Sequence, residues 1–381
     1  MTSINKTRFL IVGCGGRECI IVSKLVVNHE VYVIGEWNNP VIIDLIGNNN
    51  YCKTDNIYDR IISFCRNKNI DIIFIGPEKY INDGLSDLCW SNLFPCIAPT
   101  KIYSLIECSK SWSREFINND TYLKQYNPKF IYLENGTISY GGERGLISQE
   151  SNTNLEKEDF NVDEEFVIKC DGLKGGKGVY VQGDHFADRN DGIELCNKLL
   201  KRGESIVLEN KFNGEEFSLF TFSDGDNVHH SPPVQDYKRA YDDDKGANTG
   251  GMGSVTVFNK NYLFPFLTDK DRLTAQNINT RIIHNLKKLN AGIGYIGILY
   301  GSFMKTVDGI KIIEFNCRFG DSEVINILEL LENDLGDVFR NMINQNLDKI
   351  KLRWKQENTI VKYIVPNGYP DNPIKNVDFI W

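Results

Sequence analysis

The sequence predicts an α/β protein, with a parallel-sheet domain at the N-terminus followed by a second, α+β domain of largely antiparallel strands. Between Arg8 and Thr100, short apolar runs alternate with helical stretches, the pattern of crossover units that build a parallel sheet. From Lys110 onward strands begin to follow one another across loops, as in the pair Phe166 to Cys170 and Val179 to Gln182. At 381 residues, the chain is long enough for two or three domains, each with its own core.

The elements follow in order. A strand from Arg8 to Val12 meets the turn Gly13-Cys14-Gly15-Gly16-Arg17-Glu18, and a helix then runs to about Asn28. Strands are expected at Val31–Ile34, ending by Glu36, and at Asp71–Ile75, which closes on Gly76-Pro77-Glu78. A helix over about Asn82–Leu93 and a strand at Cys96–Ala98 complete the sheet, whose ligands should gather at the carboxyl ends of its strands. Lys110–Asn118 reads as helix, and residues 121–165 are poorly periodic, with an acidic, Asn-rich loop from Glu150 to Glu165. Beyond it come a helix over Gly192–Lys201 and strands at Ser205–Glu209, Phe217–Ser223, Ile296–Lys305 and 310–316. Further helices are expected at Asp269–Asn290 and Glu323–Asn346, and a last strand at Thr359–Val365. There are no internal repeats.

Composition narrows the function. Hydrophobic residues make up 41% and charged ones 25%, ordinary proportions for a soluble protein. A net charge of −8 gives no global attraction to nucleic acid or an anionic membrane, so any polyanion bound must be small and held by local lysines and arginines. The polar stretch Met1–Arg8 leads straight into a strand, so no signal peptide is expected, and no apolar run reaches membrane-spanning length. The ten cysteines are dispersed without Cys-x-x-Cys spacing, which suits buried free thiols in a reducing, cytoplasmic setting.

The chemistry concentrates at Ile310–Glu323. Glu314 and Asn316 are two apart on a strand and share a face, so they can grip one hard cation such as Mg²⁺, which keeps few protein ligands. Arg318, two further on, offers a fork of donors to phosphate or carboxylate. The alternative is a surface strand edge with solvated charges. The loop Asp171-Gly172-Leu173-Lys174-Gly175-Gly176-Lys177-Gly178 lies between two strands, so it is not a strand-to-helix phosphate loop. Its backbone N–H groups and lysines, with Lys169 before it, suit a hairpin over triphosphate; a plain Gly-Lys turn is the alternative.

Glu209, Glu215 and Glu216 could meet a nucleoside at a hinge, or be solvated. Gln235-Asp236-Tyr237-Lys238-Arg239 and Asn248-Thr249-Gly250-Gly251-Met252-Gly253 are either a ligand-binding segment or a surface loop. The 13–18 turn, with Glu36 ending the second strand, suggests a dinucleotide site, but Glu18 stands where the third glycine belongs. A phosphate cradle at the following helix needs only the first glycines and Arg17; a structural turn is the alternative. The five histidines match no metal or triad spacing.

Taken together, these motifs resemble the ATP-grasp superfamily, and within it the phosphoribosylamine–glycine ligase (glycinamide ribonucleotide synthetase) family. The resemblance covers roughly residues 8–345 and adds Ser109-Lys110, Gly214-Glu215-Glu216 and Glu314-Phe315-Asn316-Cys317-Arg318-Phe319-Gly320-Asp321 to the stretches above. It implies a Rossmann-like N-terminal domain (1–108), an ATP-grasp domain (109–345) with a mobile lid at about 122–212, and a remnant of the family's C-terminal domain (346–381). It further implies ATP and Mg²⁺ (or Mn²⁺) as cofactors, with small-molecule substrates and neither nucleic acid nor membrane as partner.

Residue by residue, Lys110, Lys169, Gly172, Gly175, Gly176, Lys177, Gly178, Glu209 and Glu216 would bind the nucleotide. Gly15, Gly16, Arg17, Glu18, Pro77, Glu78, Asp236, Lys238, Arg239, Asn248, Thr249, Gly250 and Gly251 would bind substrates. Glu314 and Asn316 would hold the metal, and Lys177, Asp236 and Arg318 would act in catalysis. The implied reaction phosphorylates the glycine carboxylate and lets the amine of phosphoribosylamine attack the acyl phosphate. Cys19, Ser322 and Val324 depart from the family's His, Pro and Thr, which bears on the amine and carboxylate substrates and not on ATP chemistry.

Overall fold

The computed structural model describes residues 6–134, 137–140, 143–146, 165–174, 178–243, 245–259, 263–290 and 292–375. Five parallel strands form the first sheet: β1 (Arg8–Val12), β2 (Glu30–Gly35), β3 (Tyr51–Lys53), β4 (Ile72–Ile75) and β5 (Cys96–Ile97), in the order β3-β2-β1-β4-β5. Helices α1 (Gly16–Leu25), α2 (Pro40–Ile46), α3 (Ile57–Lys68), α4 (Glu78–Asn82) and α5 (Leu85–Ser91) connect them. Phe9 and Ile11 face one buried cluster while Leu10 and Val12 face another, which is why β1 reads as an unbroken apolar run. The strand order reverses between β1 and β4, so the turns after those strands, Gly13–Gly16 and Gly76–Glu78, open into one crevice.

Helices α6 (Lys101–Cys108) and α7 (Lys110–Asn118) lead into an antiparallel sheet. Its strands are β6 (Phe130–Glu134), β7 (Thr137–Tyr140), β8 (Glu143–Leu146), β9 (Phe166–Cys170), β10 (Val179–Val181) and β11 (Ile206–Asn210), in the order β10-β9-β11-β6-β7-β8. With α8 (Arg189–Lys201) it forms a core of its own. Two further sheets complete the second half among the described residues. One orders β13 (Val228–His230), β12 (Glu215–Asp224), β16 (Ile296–Thr306) and β17 (Gly309–Asn316); the other orders β14 (Gln235–Tyr241), β15 (Lys245–Thr256) and β18 (Thr359–Lys362). Helices α9 (Asp269–Lys287), α10 (Glu323–Leu330) and α11 (Leu335–Ile343) cover them. The halves share one core: Phe74 of β4 stacks on Phe339 of α11, ring centroids 5.3 Å apart, and on Phe319 at 6.2 Å.

Several expectations shift. The helix expected over 82–93 is the shorter α5, because Gly84 adopts a left-handed φ of 89° that separates it from α4. The helix expected over 323–346 also breaks: Leu331 bridges to Trp354, and Asp334 restarts the chain by capping the Asp337 N–H at 2.8 Å. The segment 235–253 is a hairpin joined to β18, not a loop. Part of 121–165 is strand, and of the acidic loop only Glu165 falls within the described residues. Helices α2, α3 and α6 and strand β3 add to the expected elements. Among the described residues, no helix is long and apolar enough to cross a membrane.

Candidate active site

A single irregularity sets the site. Ile310 and Ile312 of β17 are buried in the core, and strict alternation would send Glu314 and Asn316 after them. Instead the pairing with β16 slips between Ser302–Glu314 and Phe303–Ile312, leaving Ile313 as a bulge. The extra residue reverses the phase, so Phe315 enters the core and Glu314 and Asn316 take the opposite face. The bulged Ile313 carbonyl accepts from Lys169 Nζ at 3.2 Å and from the Arg114 guanidinium.

Neither Glu314 nor Asn316 makes a side-chain hydrogen bond among the described residues. Burial alone would raise the Glu314 carboxyl, but Lys238, Lys169, Lys110 and Arg318 outweigh it and hold it below its usual value. An ionised, unshared carboxylate beside a neutral amide oxygen suits one Mg²⁺ or Mn²⁺ that takes its other ligands from phosphate and water. No group of three or more His, Cys, Asp or Glu side chains among the described residues could hold a metal alone.

Behind this strand lies a buried ion triad. Lys169 Nζ sits 2.8 Å from Glu209 Oε2, and Arg114 grips Glu209 through two bonds of 2.6 and 2.8 Å. Burial pushes the Lys169 ammonium down, with Glu209 opposing the shift. Burial would likewise raise the Glu209 carboxyl, yet Arg114 and Lys169 together bring it to about 2. Asp171, at the base of the glycine loop, collects four donors: Lys110 N at 2.6 Å, Ser111 Oγ at 2.6 Å, Gly172 N at 2.9 Å and Ser109 Oγ at 3.2 Å. It thereby ties the start of α7 to the loop, and Lys110 Nζ adds a bond of 2.9 Å to the Gly172 carbonyl. Gly178 closes the loop, while Gly175, Gly176 and Lys177 lie outside the described residues.

The other wall belongs to the N-terminal crevice. Glu18 folds back to accept from Gly15 N at 2.7 Å. A Cβ on Gly76 would fall 1.9 Å from its carboxylate, and one on Gly13 would meet both Glu18 and Pro77 at 2.8 Å; hence the glycines after β1 and β4. Arg17 is buried, bonded to Glu18 Oε1 at 2.8 Å and to the Phe319 carbonyl at 3.1 Å. Arg318 pairs with Glu78 at 2.8 Å and Glu107 at 3.1 Å. Despite its burial, these carboxylates hold its proton more firmly still. The phosphate cradle expected at the start of α1 is already furnished with carboxylates, since Glu18 takes Gly15 N and Asp321 takes Arg17 N at 3.3 Å. Glu36 is engaged by the Tyr80 hydroxyl and Lys79, so the dinucleotide reading loses its ribose-binding residue.

On β14, Lys238 Nζ lies 3.3 Å from Asp236 and 3.4 Å from Glu216. Asp236 faces Glu323, whose carboxyl is raised to about 7, first by burial and then by the Asp236 charge; Tyr300 donates to it at 2.9 Å. Thr249 braces the hairpin, accepting from Gly251 N at 3.0 Å and donating to the Lys238 carbonyl at 2.9 Å. Gly251 lies against the Asp321 carbonyl, while Gly250 is exposed. Asn248 and Arg239 pair farther along the hairpin, where Arg239 bonds to Asp184 and to the Gly246 carbonyl at 3.0 Å. Arg114, Glu107 and Tyr363 were absent from the sequence-derived site, and Asp171 and Glu323 stood in its stretches without a role. Asp171 could have been found as the polar residue heading the glycine loop, but Arg114 and Tyr363 sit in no motif.

The chain is similar to known proteins along most of its length. Residues 7–107 match the family described as phosphoribosylglycinamide synthetase, N domain, and residues 147–324 its ATP-grasp (A) domain. The phosphoribosylamine–glycine ligase of Methanocella arvoryzae is 36% identical over 97% of this chain and 80% of its own length. That of Methanococcus vannielii is also 36% identical, over 98% and 81%. The solved phosphoribosylamine–glycine ligase of Thermotoga maritima superposes with a TM-score of 0.70 at 24% identity, over 97% of this chain and 83% of its own. An N5-carboxyaminoimidazole synthetase from Staphylococcus aureus, complexed with ADP, gives 0.63 at 14% identity, over 94% and 82%. These structural likenesses show a common fold.

Proposed function

This chain belongs to the phosphoribosylamine–glycine ligase family, and from that premise we propose how its crevice joins glycine to 5-phosphoribosylamine. The enzyme is an ATP-grasp carboxylate–amine ligase of purine biosynthesis, and its products are glycinamide ribonucleotide, ADP and phosphate. The observation that carries the site assignment is the β17 bulge, which turns Glu314 and Asn316 together out of the core and sets the Ile313 carbonyl on Lys169 and Arg114.

Lys110, Lys169 and the 172–178 loop receive the triphosphate, with Glu209 and Glu216 toward the nucleoside and residues 122–212 as the lid. Glu314 and Asn316 hold Mg²⁺ or Mn²⁺, which when bound offsets phosphate charge and orients the γ-phosphoryl group. A glycine carboxylate oxygen attacks the γ-phosphorus and ADP leaves, with Arg318 and Lys177 balancing the charge that builds up. Arg318 is suited to this because Glu78 and Glu107 fix its orientation. The amine then attacks the acyl carbon, the bond to phosphate breaks, and the nitrogen's proton passes to Asp236. Lys238 keeps that carboxylate in place. Gly15, Gly16, Arg17, Glu18, Pro77 and Glu78 form the acceptor side.

The test is phosphate release from Mg-ATP across a panel of amino acids and amines. Release that needs both glycine and phosphoribosylamine is expected. Release with a different pair, and none with these, would assign the site to another acceptor. ATP should also raise the melting temperature where NAD does not.

A further inference from the structure

Three segments remote in sequence converge on the start of α1. A Cβ on Gly16 would lie 2.9 Å from the Tyr363 hydroxyl oxygen and 3.4 Å from both carboxylate oxygens of Asp321. The Tyr363 hydroxyl donates to Asp321 Oδ1, and Asp321 Oδ2 accepts from Arg17 N at 3.3 Å. Asp321 thus bridges the residue following β18 to the N-terminal glycine turn, with one oxygen held from each side.

The bridge is anchored at both ends. β18 pairs with β15, and Tyr363 N continues that pairing by donating to the Met252 carbonyl at 2.9 Å. Below it, Asn326 donates to Thr359 Oγ1 at 3.0 Å and to the Ser254 carbonyl at 3.3 Å, and Ser254 Oγ lies 2.7 Å from Ser322 Oγ. Ser322 adjoins Asp321, so β15 and the residue after β18 hold the Asp321–Ser322 unit between them. Burial, and then the Asp321 charge, keep the Tyr363 proton in place, so the hydroxyl stays a donor.

A carboxylate at a helix N-terminus repels a phosphate and accepts from an N–H or O–H. We propose that Tyr363 is a positioning residue for the acceptor, holding Asp321 so that its carboxylate receives the amine or a ribose hydroxyl of phosphoribosylamine beside Gly16. This rests on the ligase reading above and adds the 359–363 segment to the acceptor side.

The experiment is steady-state kinetics of Tyr363→Phe, Asp321→Asn and the double variant, with phosphoribosylamine, glycine and ATP each varied. Loss of a hydrogen bond to a charged group corresponds to a roughly ten- to hundredfold effect, expected in the acceptor KM of Tyr363→Phe. The KM values for ATP and glycine should hold. Because Tyr363 acts through Asp321, Tyr363→Phe should add little in the Asp321→Asn background, as a double-mutant cycle reveals. An unchanged acceptor KM, a parallel rise in all three constants, a shift confined to glycine, or additive effects would each overturn the assignment. A wild type inactive with phosphoribosylamine would overturn the ligase reading itself, and this inference with it.

Discussion

Lys169 and Glu209 form a buried ion pair, 2.8 Å apart, that Arg114 closes from the other side. Arg114→Ala leaves Glu209 paired with Lys169, so no charge is orphaned, but Glu209 and the Ile313 carbonyl lose the guanidinium donors they share. Unfolding stability should fall by about 1–3 kcal/mol in denaturant titrations. The pH dependence has a definite sign. Glu209 is held at about 2, below its ordinary 4.5, so the stability it confers is present above pH 4.5 and lost as the pH falls toward 2. Glu209→Gln should flatten the stability curve across that window.

Asp171 gathers the N-terminus of α7 and the base of the glycine loop through its four donors. Asp171→Ala leaves those donors without their shared acceptor, which costs about 1–3 kcal/mol for each that stays buried. The loop would lose its fixed origin beside Lys110. The KM for ATP should rise by about tenfold or more while the acceptor KM changes little, as initial-rate kinetics will register. An ATP KM equal to that of the wild type would mean that the loop keeps its geometry without this anchor.

Much of this was legible in the sequence, and the remainder was hidden for physical reasons. The parallel sheet announced itself because β1 and β4 are buried on both faces and read as solid apolar runs. The β17 bulge left a trace in the adjacent pair Ile312-Ile313, where alternation changes phase. The hairpin β14–β15 left none: most of its residues are partly or fully exposed, so no period of two marks it. The α3 spacing of Ile57, Ile61 and Cys65 is helical and buried, but Tyr58, Ile62 and Phe64 beside it blur the apolar stripe. Arg114, Glu107 and Tyr363 acquire their roles only when distant segments meet.

Glu323 provides a second pH test of opposite sign. Its carboxyl is raised to about 7 from an ordinary 4.5, by burial and then by Asp236. An acid raised on folding favours the native state at low pH, so this contribution is full below 4.5 and lost as the pH climbs through 7. Wild-type stability should fall across that interval, and Glu323→Gln should remove the fall. Melting temperatures of both proteins from pH 5 to 8 will decide it; parallel curves would show that Glu323 stays ionised throughout.

Glu314 is the residue whose loss should cost most in turnover. The glycine carboxylate is a poor nucleophile and the triphosphate repels it, so the barrier is set by how well charge is offset at the γ-phosphoryl group. On the proposed assignment Asn316 can lend only a neutral oxygen, whereas Glu314 would supply the charge that retains a divalent ion. Glu314→Gln keeps the shape and removes that charge, and turnover should fall by about 10²–10³-fold, comparable with losing one preorganised electrostatic group. Asn316→Ala should fall less, and raised Mg²⁺ should partly restore both. The fold should survive, because the bulge already turns these side chains away from the core that Ile310, Ile312 and Phe315 fill. Turnover across a Mg²⁺ titration, with circular dichroism as the control, is the measurement. Near-normal turnover in folded Glu314→Gln would place the metal elsewhere.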